Sequence, residues 1–279
     1  MGQAKIRQHN RQEFLREHPL CAYCGDPATT TDHCPPRVFF FQRHWPETYE
    51  FPACEACNSE ARKDEQALAV IARAEMNDVT DEPARQEWQK MVRGLVNNQR
   101  EFLFEWRDVN PSRRKRVLRE MFGEADGDAR RQRGWGVLNL GGPLTRAAID
   151  RFGIKLGKAL YYRHIGKVFE GNVYIRQIDL ITIKRKPQHF RDILELALQL
   201  SVSQRNNKNL AEQFVYRHDY NADLGAVNAV IRIGSQLLYH ILAISTDTIQ
   251  MMADAGEPMT TGGGFRCTVH CKPEPIPDC

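Results

Sequence analysis

Residues 21–58 have the sequence CAYCGDPATTTDHCPPRVFFFQRHWPETYEFPACEACN, and this stretch decides the fold of the N-terminal part of the chain. It contains two Cys-x-x-Cys pairs, Cys21/Cys24 and Cys54/Cys57. Two such pairs are typical of a tetrahedral zinc site held by four thiolates. A thioredoxin-like redox site is the alternative, but it needs a single pair beside a βαβ unit. We therefore predict that these four cysteines bind a structural zinc ion.

The other four cysteines of the chain lie outside these pairs. Cys34, between the two pairs, is expected to be a small buried apolar residue rather than a fifth ligand. Cys267, Cys271 and Cys279 lie in a C-terminal stretch that contains three consecutive glycines and several prolines. A second metal site there is the alternative, but this composition favours a flexible tail over residues 261–279.

The composition is that of a folded protein that does not cross a membrane. The chain has 279 residues, of which 42% are hydrophobic and 27% charged, and its formal net charge is +4. This balance excludes a wholly disordered chain. The most apolar stretch, residues 224–244, contains Arg232 and His240, and the N-terminus lacks an apolar signal-peptide segment. We therefore expect a cytoplasmic protein with no membrane partner.

Periodic apolar residues predict four helices in the first half of the chain. Proline, glycine and polar capping residues mark several of their ends. The expected helices cover residues 5–17, a segment from just after Cys57 to about Met76, a segment from Pro83 to Trp106, and a segment that ends at Gly123, and the polar residues 124–133 form the expected linker.

The second half of the chain mixes helix and strand patterns. The expected elements are a helix over residues 149–165 ended by Gly166, a buried helix over 190–200, a strand over 214–220 and a hairpin over 227–244 that turns at Gly234. We therefore predict an α+β fold. Its parts are a small zinc-stabilised domain over residues 1–78, a helical connector over 79–133, an α+β domain with an antiparallel hairpin over 134–260, and the tail over 261–279.

The dipeptide Asp32-His33 lies between the two cysteine pairs, and Asn58 follows the second pair directly. The order Cys-x-x-Cys-Gly, then Asp-His-x-x-Pro, then Cys-x-x-Cys-Asn resembles the HNH endonucleases that carry a four-cysteine zinc site. The resemblance covers about residues 18–65, and the remainder is similar to uncharacterised bacterial HNH-type proteins. It implies a ββα-metal fold, in which a β-hairpin and a helix hold a catalytic ion while a separate zinc stabilises the module.

The resemblance also implies a role for each matching residue. His33 matches the general base, which takes a proton from the water that attacks a phosphodiester. Asp32 and Asn58 match the ligands of a catalytic divalent ion, magnesium or similar. The implied function is metal-dependent hydrolysis of nucleic-acid phosphodiester bonds, with DNA as the expected substrate and partner. Structural zinc and the catalytic divalent ion are the implied cofactors.

The chain departs from the family pattern at two positions. Tyr49 stands where the family has the middle Asn that orients the histidine, and Ala61 stands where it often has Lys. Glu47, Glu50 or Arg62 could replace the lost side chains. The alternative function is a catalytically inactive zinc-ribbon module that binds nucleic acid or protein. Separately from either function, the alternative interpretations of these residues are a turn motif at Asp32-His33 and a helix N-cap at Asn58.

Basic residues near the predicted site indicate where nucleic acid would bind. The net charge of +4 does not by itself indicate nucleic-acid binding, so the clustering of the basic residues is the stronger evidence. A second basic run over residues 113–133 is either a further contact or a solvated helix face. The predicted nucleic-acid contacts are Lys5, Arg7, Arg11 and Arg16 in the first helix and Arg62 and Lys63 after the second cysteine pair.

Overall fold

A computed structural model of the chain describes residues 3–74, 82–107, 109–132, 137–178, 180–255 and 266–270. It combines helices with antiparallel sheets, which confirms the mixed helix-and-sheet class that the sequence predicts. None of the helices in these ranges has the length and apolarity needed to cross a bilayer. The apolar residues 224–244 instead form parts of two strands.

The N-terminal part builds a two-stranded sheet that is followed by helices. The strands pair antiparallel, with Thr30 opposite Ala53 and His33 opposite Glu50. The Cys54 side chain caps the helix after the second strand, because its sulfur accepts from the Cys57 backbone N–H. The helix that the sequence predicts just after Cys57 therefore begins earlier, at Glu55, and it is divided into two helices at Ala61. The elements are α1 (Gln3–Glu17), β1 (Thr30–His33), β2 (Glu50–Ala53), α2 (Glu55–Glu60) and α3 (Arg62–Ala72).

Four helices follow, α4 (Glu82–Asn98), α5 (Arg100–Arg107), α6 (Pro111–Phe122) and α7 (Glu124–Gln132). The single helix expected up to Trp106 is interrupted at Gln99, whose buried side chain donates to Gln66 Oε1 at 3.0 Å. The prediction of a linker over residues 124–133 is wrong for residues 124–132, which form α7. A Cβ at Gly127 would lie 2.7 Å from the backbone of Arg119, so a glycine is needed where α7 packs on α6.

The C-terminal part is a six-stranded antiparallel sheet with helices on both faces. Its strand order is β10-β3-β9-β8-β7-β4, and a separate hairpin joins β5 to β6. The elements are α8 (Pro143–Ile165), β3 (Gly171–Gln177), α9 (Leu180–Arg185), α10 (Pro187–Glu195), β4 (Gln199–Val202), β5 (Gln204–Arg205), β6 (Lys208–Asn209), β7 (Phe214–Asn221), β8 (Ala226–Ile233), β9 (Leu237–Ser245), α11 (Thr246–Asp254) and β10 (Arg266–His270).

For the C-terminal part, the sequence predicts a hairpin, a buried helix and a flexible tail, and the structure confirms the hairpin and differs at the other two. The hairpin around Gly234 is confirmed as β8–β9, with the glycine in the left-handed region at φ 58°. The buried helix over residues 190–200 is wrong, because α10 ends at Glu195 and Leu198 and Leu200 lie exposed around the edge strand β4. Five residues of the predicted flexible tail form β10, which pairs with β3. The rest of the tail lies outside the described residues, as does Met76.

Helix α8 joins the sheet to the N-terminal part. Gly157 lets it lie close to the sheet, because a Cβ there would come within 2.8 Å of Val173 Cγ1. Phe152 of α8 stacks on Phe39 with ring centroids 5.2 Å apart and also packs against Tyr239 of β9. One hydrophobic cluster therefore runs from the cysteine-containing segment through α8 into the sheet. The domain boundaries expected from the sequence stay a prediction.

Candidate functional site

The four cysteines of the two Cys-x-x-Cys pairs come together. Their sulfur atoms all lie within 4.8 Å of one another, and the Sγ atoms of Cys24 and Cys54 are 3.7 Å apart. All are free thiols rather than disulfides. The set could hold a metal ion such as zinc, since four soft sulfur donors suit a tetrahedral ion. Cys34 is 1% exposed and lies outside this cluster, which confirms that it is a small buried residue.

The four thiols of the sulfur cluster differ, because burial raises the pKa of Cys24 to about 12 and the hydrogen bond with Cys21 raises that of Cys57, while Cys21 is favoured as a thiolate. The hydrogen bond with the Cys57 thiol is the main cause that lowers the pKa of Cys21, to about 5. The ammonium of Lys158 in α8 donates to the Tyr23 carbonyl oxygen at 2.7 Å, close to the cysteines. A neighbouring cation stabilises thiolates, which are the form that binds a metal.

Asp32, His33 and Asn58 line one cleft of about 400 Å³. Strand β1 supplies the first two residues, and α2 supplies the third. The sulfur cluster lies outside the lining of this cleft. The structure therefore brings the three predicted catalytic residues together and keeps the predicted zinc ligands apart from them. The other lining residues are Thr31, Pro36, Arg37, Val38, Arg43, Arg62, Glu65 and Gln66.

The Asp32 carboxylate is buried and held by two donors. The Tyr23 hydroxyl and the Lys155 ammonium each lie 2.7 Å from its Oδ2 atom. Lys155 also lies 2.5 Å from Glu65 Oε1, so one cation joins two carboxylates. Asp32 therefore belongs to strand β1 and to a buried polar network, and the interpretation of Asp32-His33 as a turn motif is wrong.

The charges of this network stabilise one another. Burial disfavours the ammonium of Lys155, but the Asp32 and Glu65 carboxylates raise its pKa above the usual lysine value. Burial raises the pKa of Glu65 to about 7, although Lys155 opposes this change. Burial and the Asp32 charge also raise the pKa of Tyr23, so its hydroxyl stays a hydrogen-bond donor.

The Asn58 side chain is held against β1. Its Nδ2 atom donates to Thr30 Oγ1 and to the Thr31 carbonyl oxygen, each at 3.4 Å. Cys54 is the N-cap of α2, so the interpretation of Asn58 as a helix N-cap is wrong. Among the described residues, Asp32 Oδ1 and Asn58 Oδ1 receive no hydrogen bond. These two oxygens are the hard donors that a divalent ion such as Mg²⁺ prefers.

In the described part of the chain, the polar contacts of the His33 side chain all involve its ring nitrogen Nε2. Nε2 lies 3.0 Å from Glu50 Oε1, and the Arg37 guanidinium approaches the same atom at 2.7 Å through Nη2. Nε2 can donate to Glu50 in one tautomer or accept from Arg37 in the other. The hydrogen bond with His33 lowers the pKa of Glu50. Glu50 contacts His33 because the two residues are opposite each other in the β1–β2 ladder.

Among the described residues, no hydrogen bond joins Tyr49 to His33. Its ring is 4% exposed and packs edge-on against Phe214, with centroids 5.2 Å apart. Position 49, where the resemblance leads us to expect an Asn, is therefore used for core packing in this chain. The neighbouring residue Glu50 makes the contact with the histidine instead.

The predicted nucleic-acid contacts are scattered over the surface. Arg62 lines the cleft, while Lys63 is exposed on α3 outside the lining. In α1, Lys5 and Arg16 are exposed, and Arg11 donates to the Thr29 carbonyl oxygen at 3.0 Å. The Arg7 side chain lies outside the described residues.

Sequence reasoning missed several residues of the cleft and its buried network. The sequence contains a local signal for Glu65. This residue follows Asn58 by seven positions, so the two side chains would lie on the same face of the single helix that the sequence predicts here. Lys155 had none, since its partner Glu65 is 90 residues away along the chain. Arg37 and Tyr23 were likewise inconspicuous in the sequence.

Comparison of the chain with protein-family models, with curated proteins and with solved structures found no match.

Proposed function

We propose that this chain is a metal-dependent endonuclease of the HNH type, which hydrolyses phosphodiester bonds of DNA. The observation that carries the proposal is that Asp32, His33 and Asn58 line one cleft. The hairpin β1–β2 and helix α2 then correspond to a ββα-metal arrangement. The sulfur cluster outside the cleft corresponds to its structural zinc.

His33 acts as the general base in this proposal. When Nε2 donates to the Glu50 carboxylate at 3.0 Å, the other ring nitrogen, Nδ1, has a free lone pair for a proton from the attacking water. Glu50 holds the ring through Nε2 and favours the tautomer with the proton on that atom, which is the task that the resemblance gives to the middle Asn, whereas Arg37, whose Nε donates to the same atom at 3.0 Å, favours the other tautomer. A carboxylate in this position also stabilises the imidazolium that forms during the reaction.

The oxygens Asp32 Oδ1 and Asn58 Oδ1 would hold the divalent ion, and their chemistry fits it. A divalent ion at this position supplies positive charge to the phosphate oxygens and the leaving alkoxide. Tyr23 and Lys155 orient the Asp32 carboxylate through its Oδ2 atom. Backbone and hydroxyl acceptors on β1 orient the Asn58 amide. Hydrogen-bonded partners of this kind fix the geometry of metal ligands.

The lining of the cleft suits a phosphodiester substrate. Arg37, Arg43 and Arg62 border the cleft, and guanidinium groups bind phosphate oxygens in a bidentate manner. These charges offset the buried carboxylates and leave a basic opening. The backbone of DNA, which carries one negative charge per phosphate, matches this opening.

The proposal is tested with supercoiled plasmid in Mg²⁺ or Mn²⁺. We expect the wild type to nick the plasmid, His33→Ala to lose at least about two orders of magnitude in rate, and EDTA to stop the reaction. His189→Ala is the matched control, because His189 is exposed on α10, which packs on the other face of the sheet from α8. Equal nicking by wild type and His33→Ala would overturn the proposal.

A second candidate function is a zinc-stabilised module that binds DNA without cleaving it. Two contacts favour it, the Arg37 guanidinium 2.7 Å from His33 Nε2 and the Lys155 ammonium between Asp32 and Glu65. Both place a positive charge where catalysis needs a free base and a divalent ion. This function predicts that wild type and His33→Ala shift a labelled duplex equally and that neither nicks plasmid.

A further inference from the structure

We propose that the hairpin β5–β6, residues 204–209, is a DNA-backbone contact of the candidate site, in which Arg205 and Lys208 pair with phosphates. We call these residues the basic hairpin. The inference rests on the proposed function, because it extends the surface on which that function's substrate lies. It gives the C-terminal part of the chain, which has no catalytic motif, a role in substrate binding.

Three hydrogen bonds hold the basic hairpin against the loop that leads into β2. The Glu47 backbone N–H donates to the Gln204 carbonyl oxygen at 3.0 Å, and the Asn206 N–H donates to Glu47 Oε1 at 2.9 Å. Arg205 Nη1 donates to the Trp45 carbonyl oxygen at 3.2 Å. The hairpin is therefore fixed to the same loop that packs beside His33.

Trp45 links the basic hairpin to the catalytic histidine. Its ring lies between two guanidinium groups, with Arg37 Cζ at 3.6 Å and Arg205 Cζ at 3.8 Å from the ring centroid. The His33 ring packs edge-on against the same indole at 5.0 Å. Stacking of this kind orients a guanidinium and leaves its edge available for phosphate oxygens. Arg205 therefore adds its positive charge to that of Arg37, which lines the cleft, through the shared Trp45 ring.

The tip of the basic hairpin presents donors to solvent. Asn206 and Asn207 adopt left-handed backbone angles, φ 48° and 60°, which a two-residue hairpin turn requires and which asparagine tolerates. Residues 206–209 are exposed, and the hairpin contains no carboxylate. In the part of the chain that the structure describes, no ion pair involves Lys208. Amide and ammonium groups in such a position are the usual partners of phosphate oxygens.

The experiment measures binding of a short fluorescein-labelled DNA duplex by fluorescence anisotropy over a series of salt concentrations. The full chain with His33→Ala is the parent, so that cleavage does not interfere. We expect Lys208→Gln to weaken binding about threefold to tenfold and to reduce the slope of log K against log salt by about 0.9. Lys208→Arg keeps the charge and should bind like the parent.

Lys186→Gln is the matched control, because Lys186 is exposed at the start of α10 on the other face of the sheet from α8. It should leave affinity and salt slope unchanged. Unchanged affinity and slope in Lys208→Gln, with normal binding by the parent, would overturn the role of the hairpin and leave the proposed function standing. A parent and a wild type that both fail to bind the duplex would overturn the two proposals together.

Discussion

The Lys155 ammonium lies 2.7 Å from Asp32 Oδ2, so a side chain of α8 neutralises the carboxylate proposed as a metal ligand. Both side chains are almost fully buried, as is Glu65, the second partner of Lys155. Attraction between buried opposite charges is strong, and the loss of one partner leaves the other uncompensated. The contact therefore makes the cleft depend on the packing of α8, which lies far along the chain.

Replacement of Lys155 by methionine is expected to destabilise the protein strongly. The change leaves the buried Asp32 and Glu65 carboxyl groups without a cation, so that one of them takes up a proton and the other stays uncompensated, which costs about 3–5 kcal/mol of unfolding free energy. Urea denaturation monitored by circular dichroism measures the loss. Lys90→Met is the control, since that lysine is exposed on α4 and its replacement should change the unfolding free energy by less than about 0.5 kcal/mol. A loss for Lys155→Met no greater than that for Lys90→Met would contradict the charge network.

The sulfur cluster is expected to bind one zinc ion per chain. Replacing Cys54 and Cys57 by serine removes two of four ligands and should reduce bound zinc to background, with loss of the N-terminal fold. Elemental analysis of the purified protein measures the content. Cys34→Ala is the matched cysteine control and should keep the full zinc content, because Cys34 lies outside the cluster. Zinc retained by the double variant would show that the cluster is not the site.

Glu50 is expected to support the rate rather than the binding of DNA. Glu50→Ala removes the acceptor for His33 Nε2, and we predict a fall in kcat of about 10- to 100-fold with little change in KM. Glu50→Gln should lose less, because its amide oxygen can still accept. Glu60→Ala, an exposed carboxylate of α2, is the control. Steady-state cleavage of a labelled duplex provides the values, and full activity of Glu50→Ala would rule out this role.

The protein is expected to lose stability in mild acid through His240. Burial, with a smaller effect of Arg176, lowers the pKa of this histidine to about 4. The unfolded chain binds the proton at about 6.5, so the stability is intact above that pH and is lost as the pH falls toward 4. The expected loss is about 2 kcal/mol between pH 7 and pH 5.

Urea unfolding at the two pH values measures this loss. His240→Gln can still donate to Asn228 Oδ1, which lies 2.8 Å from the histidine Nε2, and it should make the pH dependence shallower, while a remaining slope comes from His164 and His218, whose pKa values burial also lowers. His9→Gln, on the exposed surface of α1, should not change it. An equally steep pH dependence in His240→Gln would contradict the assignment.

The parts of the site with a local sequence signal could be predicted. The spacing of Cys21, Cys24, Cys54 and Cys57 indicates the four-sulfur cluster that the structure contains. The resemblance to HNH endonucleases singles out Asp32, His33 and Asn58, which line one cleft and whose catalytic roles stay a prediction. Lys155 could not be found in this way, because only the packing of α8 brings it to Asp32. The sequence offers Glu47, Glu50 and Arg62 as replacements for the missing side chains, and the β1–β2 register decides that Glu50 contacts His33.

Two fold predictions, the linker and the buried helix, are wrong because each relied on a single feature of the sequence. Residues 124–132 are polar and contain a glycine, yet Glu124 and Asp126 in the first turn and Arg130 and Arg131 in the last turn match the helix dipole. The leucines of residues 190–200 suggested a buried helix, although several of them end up exposed beside an edge strand. Burial of a short apolar run depends on its neighbours in the fold.

The central claim, that His33 is the general base for DNA cleavage, is tested most directly by chemical rescue. His33→Gly removes the side chain, and added imidazole can take its place beside the attacking water. The account predicts that wild type nicks plasmid in Mg²⁺, that His33→Gly is almost inactive, and that imidazole restores part of its rate with a dependence on pH that follows the imidazole base. Undiminished nicking by His33→Gly without imidazole would contradict the claim.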